Sequence, residues 1–156
     1  MKGSLRKTGN TVFIDRNTGG KAFKDIVLAA GIEIVLHDDH FPHPKPGEKN
    51  IPDQEWLVAI GRLGRFIVTG DKRTLKEVQF LQKIPESNAY VFVLDDMNSG
   101  SPARKAEVVI SAYPKMIGLA IATKRPAVWL VENSTFRIYD WHRKLKQIKE
   151  RDRVRK

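Results

Sequence analysis

The sequence predicts an α/β domain with a mostly parallel sheet and helices on both of its faces. Strand-like and helix-like segments alternate along the chain, which is typical of β-α-β crossovers. Two strand-like runs, 90–94 and 127–131, are apolar throughout, as expected for strands that are covered on both sides. Acidic residues follow several of these runs. The predicted strands are 11–14, 32–36, 66–69, 90–94, 128–131 and 136–139.

The predicted helices fill most of the gaps between the strands, at 20–30, 52–63, 74–83 and 101–124. Gly31 is a stop signal for the first helix, and Pro126 prevents the last helix from continuing into the next strand. The segment 132–134 lies between two strand-like runs and is short enough for a hairpin loop. We therefore expect the last strand to be antiparallel to its neighbour.

The length and composition of the chain limit its class. A chain of 156 residues fits one domain with a substantial apolar core. No apolar run reaches the roughly eighteen residues that a membrane span requires, so no membrane contact is expected. The chain has no cysteine, which excludes disulfides, thiolate metal ligands and a cysteine nucleophile. The cytoplasm is the expected location.

The positive charge is concentrated at the carboxyl terminus. The net charge is +10, and segment 141–156 carries eight Lys or Arg residues against Glu150 and Asp152. This segment is interpreted either as a solvated terminal helix or as an arm that binds phosphate or a partner. We predict a single domain at 1–140, followed by a basic helix or tail at 141–156.

Three acidic residues lie where a strand ends or a helix begins. Asp15 closes the first strand, Asp71 follows the strand at 66–69, and Asp53 opens the second helix. In an open α/β sheet, the ligand crevice lies outside the carboxyl ends of the strands. Carboxylates that converge there repel one another unless a cation lies between them, and hard oxygen ligands suit Mg²⁺ or Mn²⁺. On a basic protein, this pattern favours metal-dependent attack on a nucleic-acid phosphate.

Each candidate also has a structural alternative. Asp53 continues the apolar stripe of its helix, which favours a ligand role, but an acid in the first turn also complements the helix dipole. Asp71 is placed to cap a helix that begins near Lys72. Thr69 has a hydroxyl that is able to orient a carboxylate or a phosphate. Asn17 is a candidate for fixing a carboxylate or a metal-bound water.

The segments 13–17 and 68–72, together with Asp53, resemble the PIN-like nuclease domains, the group that includes the VapC-type toxins of prokaryotic toxin–antitoxin pairs. The resemblance covers residues 11–96. It implies a three-layer α/β/α fold and hydrolysis of RNA by a toxin that is neutralised by an antitoxin protein and forms a homodimer. Asp15, Asp53 and Asp71 match the acids of the family and are the catalytic residues that would bind Mg²⁺ or Mn²⁺.

One position departs from the family pattern. Many PIN domains carry a further acid two residues after the last aspartate, where this chain has Arg73. The chain therefore binds one metal ion rather than two, or recruits another acid, or lacks activity; alternatively, Arg73 contacts the scissile phosphate. Lys72 is expected to position the RNA backbone. The replacement acids considered are Asp38, Glu77, Asp95 and Asp96.

Other interpretations remain open. The main alternative is a catalytically impaired PIN-like module that binds RNA or a protein partner, and a receiver-like signalling domain fits less well. His37, His40 and His43 lie in the irregular segment 37–50, which is interpreted as a metal site, as a loop that lines the cleft or contacts RNA, or as plain surface. Asp95 and Asp96 either support the site or cap a turn at 97–100.

Overall fold

The computed structural model describes residues 11–15, 20–36, 53–62, 66–97 and 100–154, with the backbone alone for residues 53–56. Within these ranges the strands are β1 (Val12–Ile14), β2 (Ile34–Leu36), β3 (Phe66–Thr69), β4 (Tyr90–Leu94), β5 (Ala127–Glu132) and β6 (Thr135–Ile138). The α-helices are α1 (Lys21–Ala29), α2 (Asp53–Arg62), α3 (Val78–Ser87), α4 (Pro102–Ala122) and α5 (Trp141–Val154). Two 3₁₀ turns, Lys72–Lys76 and Asp95–Met97, follow β3 and β4.

The strands form one six-stranded sheet in the order β2-β1-β3-β4-β5-β6. All neighbouring pairs are parallel except β5 and β6, which are antiparallel. The α/β class, the mostly parallel sheet and the antiparallel last strand are thus confirmed. Asn133 and Ser134 connect β5 to β6 with φ values of 49° and 64°. Two successive residues with positive φ are typical of the tight hairpin turn that matches the strand twist.

Alternating side chains divide the core into two layers, one on each face of the sheet. Ile14 and Val68 belong to the cluster that packs with α1 and α4. Phe13 and Ile67, one position earlier in their strands, belong to the cluster with α2, α3 and α5. Because successive side chains of a strand point to opposite faces, each strand contributes to both layers. The result is the predicted three-layer α/β/α fold.

Helices α2 and α3 pack closely at a glycine. A Cβ atom added at Gly61 would collide with the backbone carbonyl of Ser87, so only glycine allows this approach. Leu57 and Ile60 of α2 are fully buried on the same side of the sheet. The contact fixes α2 against α3, and thereby fixes the position at which α2 begins.

The segment after β3 differs from the prediction of a helix at 74–83. A 3₁₀ turn covers Lys72–Lys76, and Glu77 is extended, with φ −90° and ψ 114°. Helix α3 therefore begins only at Val78. It ends at Asn88, whose left-handed φ of 51° is typical of a helix terminus. The prediction was wrong here because the polar side chains after β3 bind backbone groups locally and form a separate turn.

The basic carboxyl-terminal segment forms α5, which packs on the domain. Ile148 is 5% exposed and lies in the same core cluster as α2 and α3. The division of the chain at residue 140 stays a prediction. In the described ranges, no helix combines the length and apolar composition that crossing a membrane requires.

Candidate active site at the carboxyl edge of the sheet

The strand order creates a divergence point between β1 and β3. These two strands are neighbours in the sheet. The strand that follows β1 in sequence, β2, lies on the far side of β1, whereas the strand that follows β3, β4, lies on the far side of β3. Chain connections that leave in opposite directions open a crevice at the carboxyl ends of the two strands, where ligands bind in open α/β sheets. Asp15 directly follows β1 at this edge, and Thr69 is the last residue of β3.

Register places Asp15 beside Thr69. Ile14 pairs with Val68, and the backbone N–H of Asp15 donates to the carbonyl of Val68 at 3.2 Å, which continues the ladder by one residue. By the alternation of the strands, both side chains belong to the face covered by α2 and α3. The two residues are 54 positions apart in sequence, and the parallel pairing of β1 and β3 brings them together.

The hydroxyl of Thr69 links two of the predicted acids. Its Oγ1 donates to Oδ2 of Asp15 at 2.5 Å and accepts from the backbone N–H of Asp71 at 3.1 Å. Thr69 is only 1% exposed, so water does not compete freely for this hydroxyl. The Asp15 carboxylate is therefore held by a fixed donor, and the backbone of Asp71 is attached to the same atom.

Asp71 caps the 3₁₀ turn and binds an arginine. Its carboxylate accepts from the backbone N–H of Arg73 at 3.0 Å, and from Nε and Nη2 of the same residue at 2.9 and 2.8 Å. The hydroxyl of Thr74 donates to the Asp71 carbonyl at 3.0 Å. The hydrogen bond from the Arg73 side chain lowers the pKa of Asp71 below its ordinary value of 3.8. The Arg73 side chain is 86% exposed, so this ion pair faces solvent.

Asp53 is the first residue of α2. Because α2 ends at Arg62 and β3 begins at Phe66, the carboxyl end of the helix lies at the amino edge of β3. A helix of ten residues is about 15 Å long. Asp53 is therefore placed toward the carboxyl edge, where Asp15 and Thr69 lie. Its side chain, Asn17 and the histidine segment 37–50 lie outside the described residues.

A second group of charges lies next to the first at the ends of β4 and β5. Nζ of Lys72 donates to Oε2 of Glu132 at 3.1 Å and lies 3.9 Å from Oδ2 of Asp95. Nη2 of Arg137 donates to the other oxygen of Glu132 at 2.5 Å. The Lys72 hydrogen bond lowers the pKa of Glu132 and raises that of Lys72. Lys72 thus binds acids of its own chain in this structure.

Glu132 was not predicted as a site residue. Its sequence signal was its position at the end of an apolar strand, the same signal that identified Asp15. Its proximity to the tight hairpin turn favoured a loop interpretation instead.

Asp96 has a structural role that the sequence did not predict. Its two carboxylate oxygens accept from the backbone N–H groups of Asn133 and Ser134 at 2.9 and 3.0 Å. It therefore caps the turn between β5 and β6. The expected cap of the turn at 97–100 involves residues 98 and 99, which lie outside the described residues, so it stays a prediction. Residues 37 and 38 positions away supply the donors, and sequence proximity gives no information about such contacts.

The donor atoms at the β1–β3 edge suit a divalent cation. Two carboxylates and one hydroxyl, from Asp15, Asp71 and Thr69, offer the hard oxygens that Mg²⁺ and Mn²⁺ prefer. Among the residues with described side chains, no three His, Cys, Asp or Glu groups are arranged to hold a metal ion. The Asp71 carboxylate is occupied by Arg73, but exposed ion pairs are weak because water competes for both partners. A divalent cation that bound Asp71 would therefore have to displace Arg73 from this carboxylate.

Comparison with known families identifies the fold. The sequence profile of a PIN-like domain matches residues 11–96, more than half of the chain, and the match contains β1 to β4 with Asp15, Thr69 and Asp71. The chain belongs to the family of PIN-like domains. PIN-like domains are generally nucleases, and those nucleases usually use divalent metals. No curated protein and no solved structure matches the chain significantly.

Proposed function

We propose that the protein is an endoribonuclease that uses Mg²⁺ or Mn²⁺ to hydrolyse RNA phosphodiester bonds. The observation that carries this proposal is the hydrogen-bonded series Asp15–Thr69–Asp71 at the divergence point of a PIN-like sheet. A buried hydroxyl that holds a carboxylate at the ligand crevice has a ready explanation in metal binding, because ligand carboxylates are commonly fixed by a second hydrogen bond.

In this mechanism Asp15, Asp53 and Asp71 would hold the cation. When bound, a divalent ion lowers the pKa of a coordinated water and neutralises charge that develops on the phosphate. Thr69 keeps the Asp15 carboxylate in one orientation through its 2.5 Å hydrogen bond. Arg73, once displaced from Asp71, is available to bind a phosphate, since its guanidinium matches two phosphate oxygens.

A second candidate function is a PIN-like module that binds RNA or a protein partner without cutting. The observation that favours it is the Arg73 side chain, which donates twice to Asp71 and neutralises a carboxylate that metal binding needs. The two candidates differ in one property. Only the enzyme requires Arg73 to leave Asp71 when metal and RNA bind.

Cleavage of a panel of RNAs with Mn²⁺ separates these candidates. The wild-type protein is expected to cut, and EDTA or Asp15→Asn is expected to abolish cutting. Asp25→Asn is the matched control, because Asp25 forms an exposed ion pair with Lys21 on α1, which packs on the opposite face of the sheet from Asp15 and Thr69. Cutting that persists in Asp15→Asn would refute the site, and the absence of cutting by a protein that still binds RNA would support the module.

We further propose that the nuclease is the toxin of a toxin–antitoxin pair and acts as a homodimer. Support comes from the resemblance of segments 13–17 and 68–72 to VapC-type toxins. Expression of the wild-type chain should arrest growth, Asp15→Asn should not, and the product of a neighbouring reading frame should restore growth. Growth arrest of equal extent with Asp15→Asn would contradict the toxin role. Sedimentation of the purified protein tests the dimer.

A further inference from the structure

Helix α5 presents a narrow stripe of basic side chains. At 100° per residue, His142, Lys146, Lys149 and Arg153 fall within an arc of about 60° on one side of the helix. All four are exposed. Together with Leu145 and Glu150 they line a groove of about 300 Å³. We call these four residues the α5 stripe.

The α5 stripe lies on a helix that packs against the domain core. Ile148 is 5% exposed in the core cluster beneath α2 and α3, and Trp141 and Leu145 pack against the same cluster. These apolar residues fall at about 240° to 300° when His142 is placed at zero. The buried face thus adjoins the stripe, and the packing of α5 on the core holds the neighbouring cations in place.

The cations of the stripe have no acidic partner in the part of the chain that the structure describes. Among the described residues, Lys146, Lys149 and Arg153 form no ion pair, although Glu150 lies in the same groove. Lys72 and Arg137, at the sheet edge, are instead bound to Glu132. The positive charge on α5 therefore remains available to an external polyanion.

A second groove of the molecule is lined by both acidic and basic side chains. It measures about 290 Å³ and lies between α4 and the β5–β6 hairpin. Arg104 and Lys115 line it, but so do Asp96 and Glu107. Balanced charges give no preference for a polyanion there, so charge complementarity points to the α5 groove alone among the described grooves.

We infer that the α5 stripe binds the phosphate backbone of the RNA substrate. From His142 to Arg153 the helix rises about 16 Å, enough for contacts to several successive phosphates. The choice of RNA as the polyanion rests on the proposed ribonuclease function. Such contacts supply affinity and orient the strand without reading its sequence. The α5 groove would thus hold RNA outside the catalytic edge.

The test measures RNA binding apart from cleavage. A labelled single-stranded 12-nucleotide RNA is titrated in EDTA with the Asp15→Asn protein, so that catalysis has no influence on the result. The stripe variant carries Lys146→Gln, Lys149→Gln and Arg153→Gln. The matched control carries Arg143→Gln, Lys144→Gln and Arg151→Gln, which removes three charges from the other side of the same helix.

The stripe variant is expected to bind RNA at least tenfold more weakly than the control. The slope of log affinity against log salt should fall by about 2, since each lost phosphate contact on a single strand accounts for about 0.7. Equal losses in the two variants, or no loss in either, would overturn the inference. Stronger displacement of the labelled RNA by poly-glutamate than by unlabelled RNA at equal charge concentration would also overturn it and indicate an acidic protein as the partner.

Two further variants keep the test decisive. Should the triple variant unfold, as judged by its thermal melt, the single change Lys149→Gln replaces it and is expected to weaken binding about threefold. Lys146→Arg with Lys149→Arg should retain binding. If the stripe variant bound RNA more weakly but the wild-type protein did not cut it, the nuclease proposal would be refuted and the inference about the stripe would stand. If the wild-type protein cut RNA but the stripe variant bound it as tightly as the control, the inference about the stripe would be refuted and the nuclease proposal would stand.

Discussion

The Thr69 hydroxyl donates to the Asp15 carboxylate over 2.5 Å, between the ends of two neighbouring parallel strands. The same oxygen accepts from the Asp71 backbone, so one buried atom fixes the relative position of two family acids. A threonine is suited to this buried position because its hydroxyl both donates and accepts.

Replacing Thr69 by valine is expected to destabilise the protein and to reduce RNA cleavage. Valine has the same shape but no donor, which leaves the part-buried Asp15 oxygen without this partner at a cost of about 1–3 kcal/mol. Urea unfolding measures the stability, and the rate with saturating Mn²⁺ measures the activity.

Thr69→Ser is the control for this change, because it keeps the hydroxyl and removes only the methyl group. It should retain most of the activity and lose some stability. If Thr69→Val cut RNA as fast as Thr69→Ser, the hydrogen bond to Asp15 would have no role in catalysis.

Replacing Arg73 by glutamine should increase the affinity for Mn²⁺. The change frees the Asp71 carboxylate from a guanidinium that donates to both of its oxygens. For an exposed pair the expected gain is about two- to fivefold, because water already screens the interaction. Mn²⁺ binding is followed by electron paramagnetic resonance, with Arg104→Gln as a control at a distant exposed ion pair. Weaker Mn²⁺ binding by Arg73→Gln would show that Arg73 supports the site.

The Asp71–Arg73 pair also predicts a pH dependence of stability. The pKa of Asp71 is lower in the folded protein than its ordinary value of 3.8, chiefly because Arg73 donates to it. A carboxyl with a lowered folded pKa stabilises the protein above its unfolded pKa, and this contribution is lost as the pH falls through the folded value. The stability difference between wild type and Arg73→Gln should therefore be constant from about pH 5 to 7 and shrink below 3.8.

Urea unfolding between pH 2.5 and 7 measures this difference. In the Asp71→Asn background, Arg73→Gln should have the same effect at every pH, because the titrating group is absent. If the difference in unfolding free energy between wild type and Arg73→Gln grew toward low pH, Arg73 would not be the cause of the lowered pKa of Asp71.

Replacing Gly61 by alanine should disturb the packing of α2 on α3. The new Cβ would collide with the Ser87 carbonyl, and overpacking of this kind costs about 1–3 kcal/mol. Gly118 provides the control, because a Cβ there meets no atom within 4 Å. Gly118→Ala should stabilise α4 by up to about 1 kcal/mol through helix propensity. Equal stability of the two variants in urea would show that α2 and α3 are not in close contact.

Much of the fold could be predicted from local patterns. Apolar runs bounded by breakers located the strands, because a strand buried on both faces needs a short continuous apolar segment. The helix after β3 was misplaced because Asp71 and Thr74 bind backbone groups nearby and form a separate 3₁₀ turn. Propensity alone does not decide between a helix and such a local turn.

The sequence by itself determined the α/β class, the antiparallel last strand and the presence of acids at strand ends, since each follows from residues that are close along the chain. Tertiary structure decided which side chains meet. Register placed Asp15 against Thr69, and the strand order placed Lys72 against Glu132. These contacts join residues 54 and 60 positions apart, where no local pattern specifies the partner. Only the packed sheet brings them within hydrogen-bonding distance.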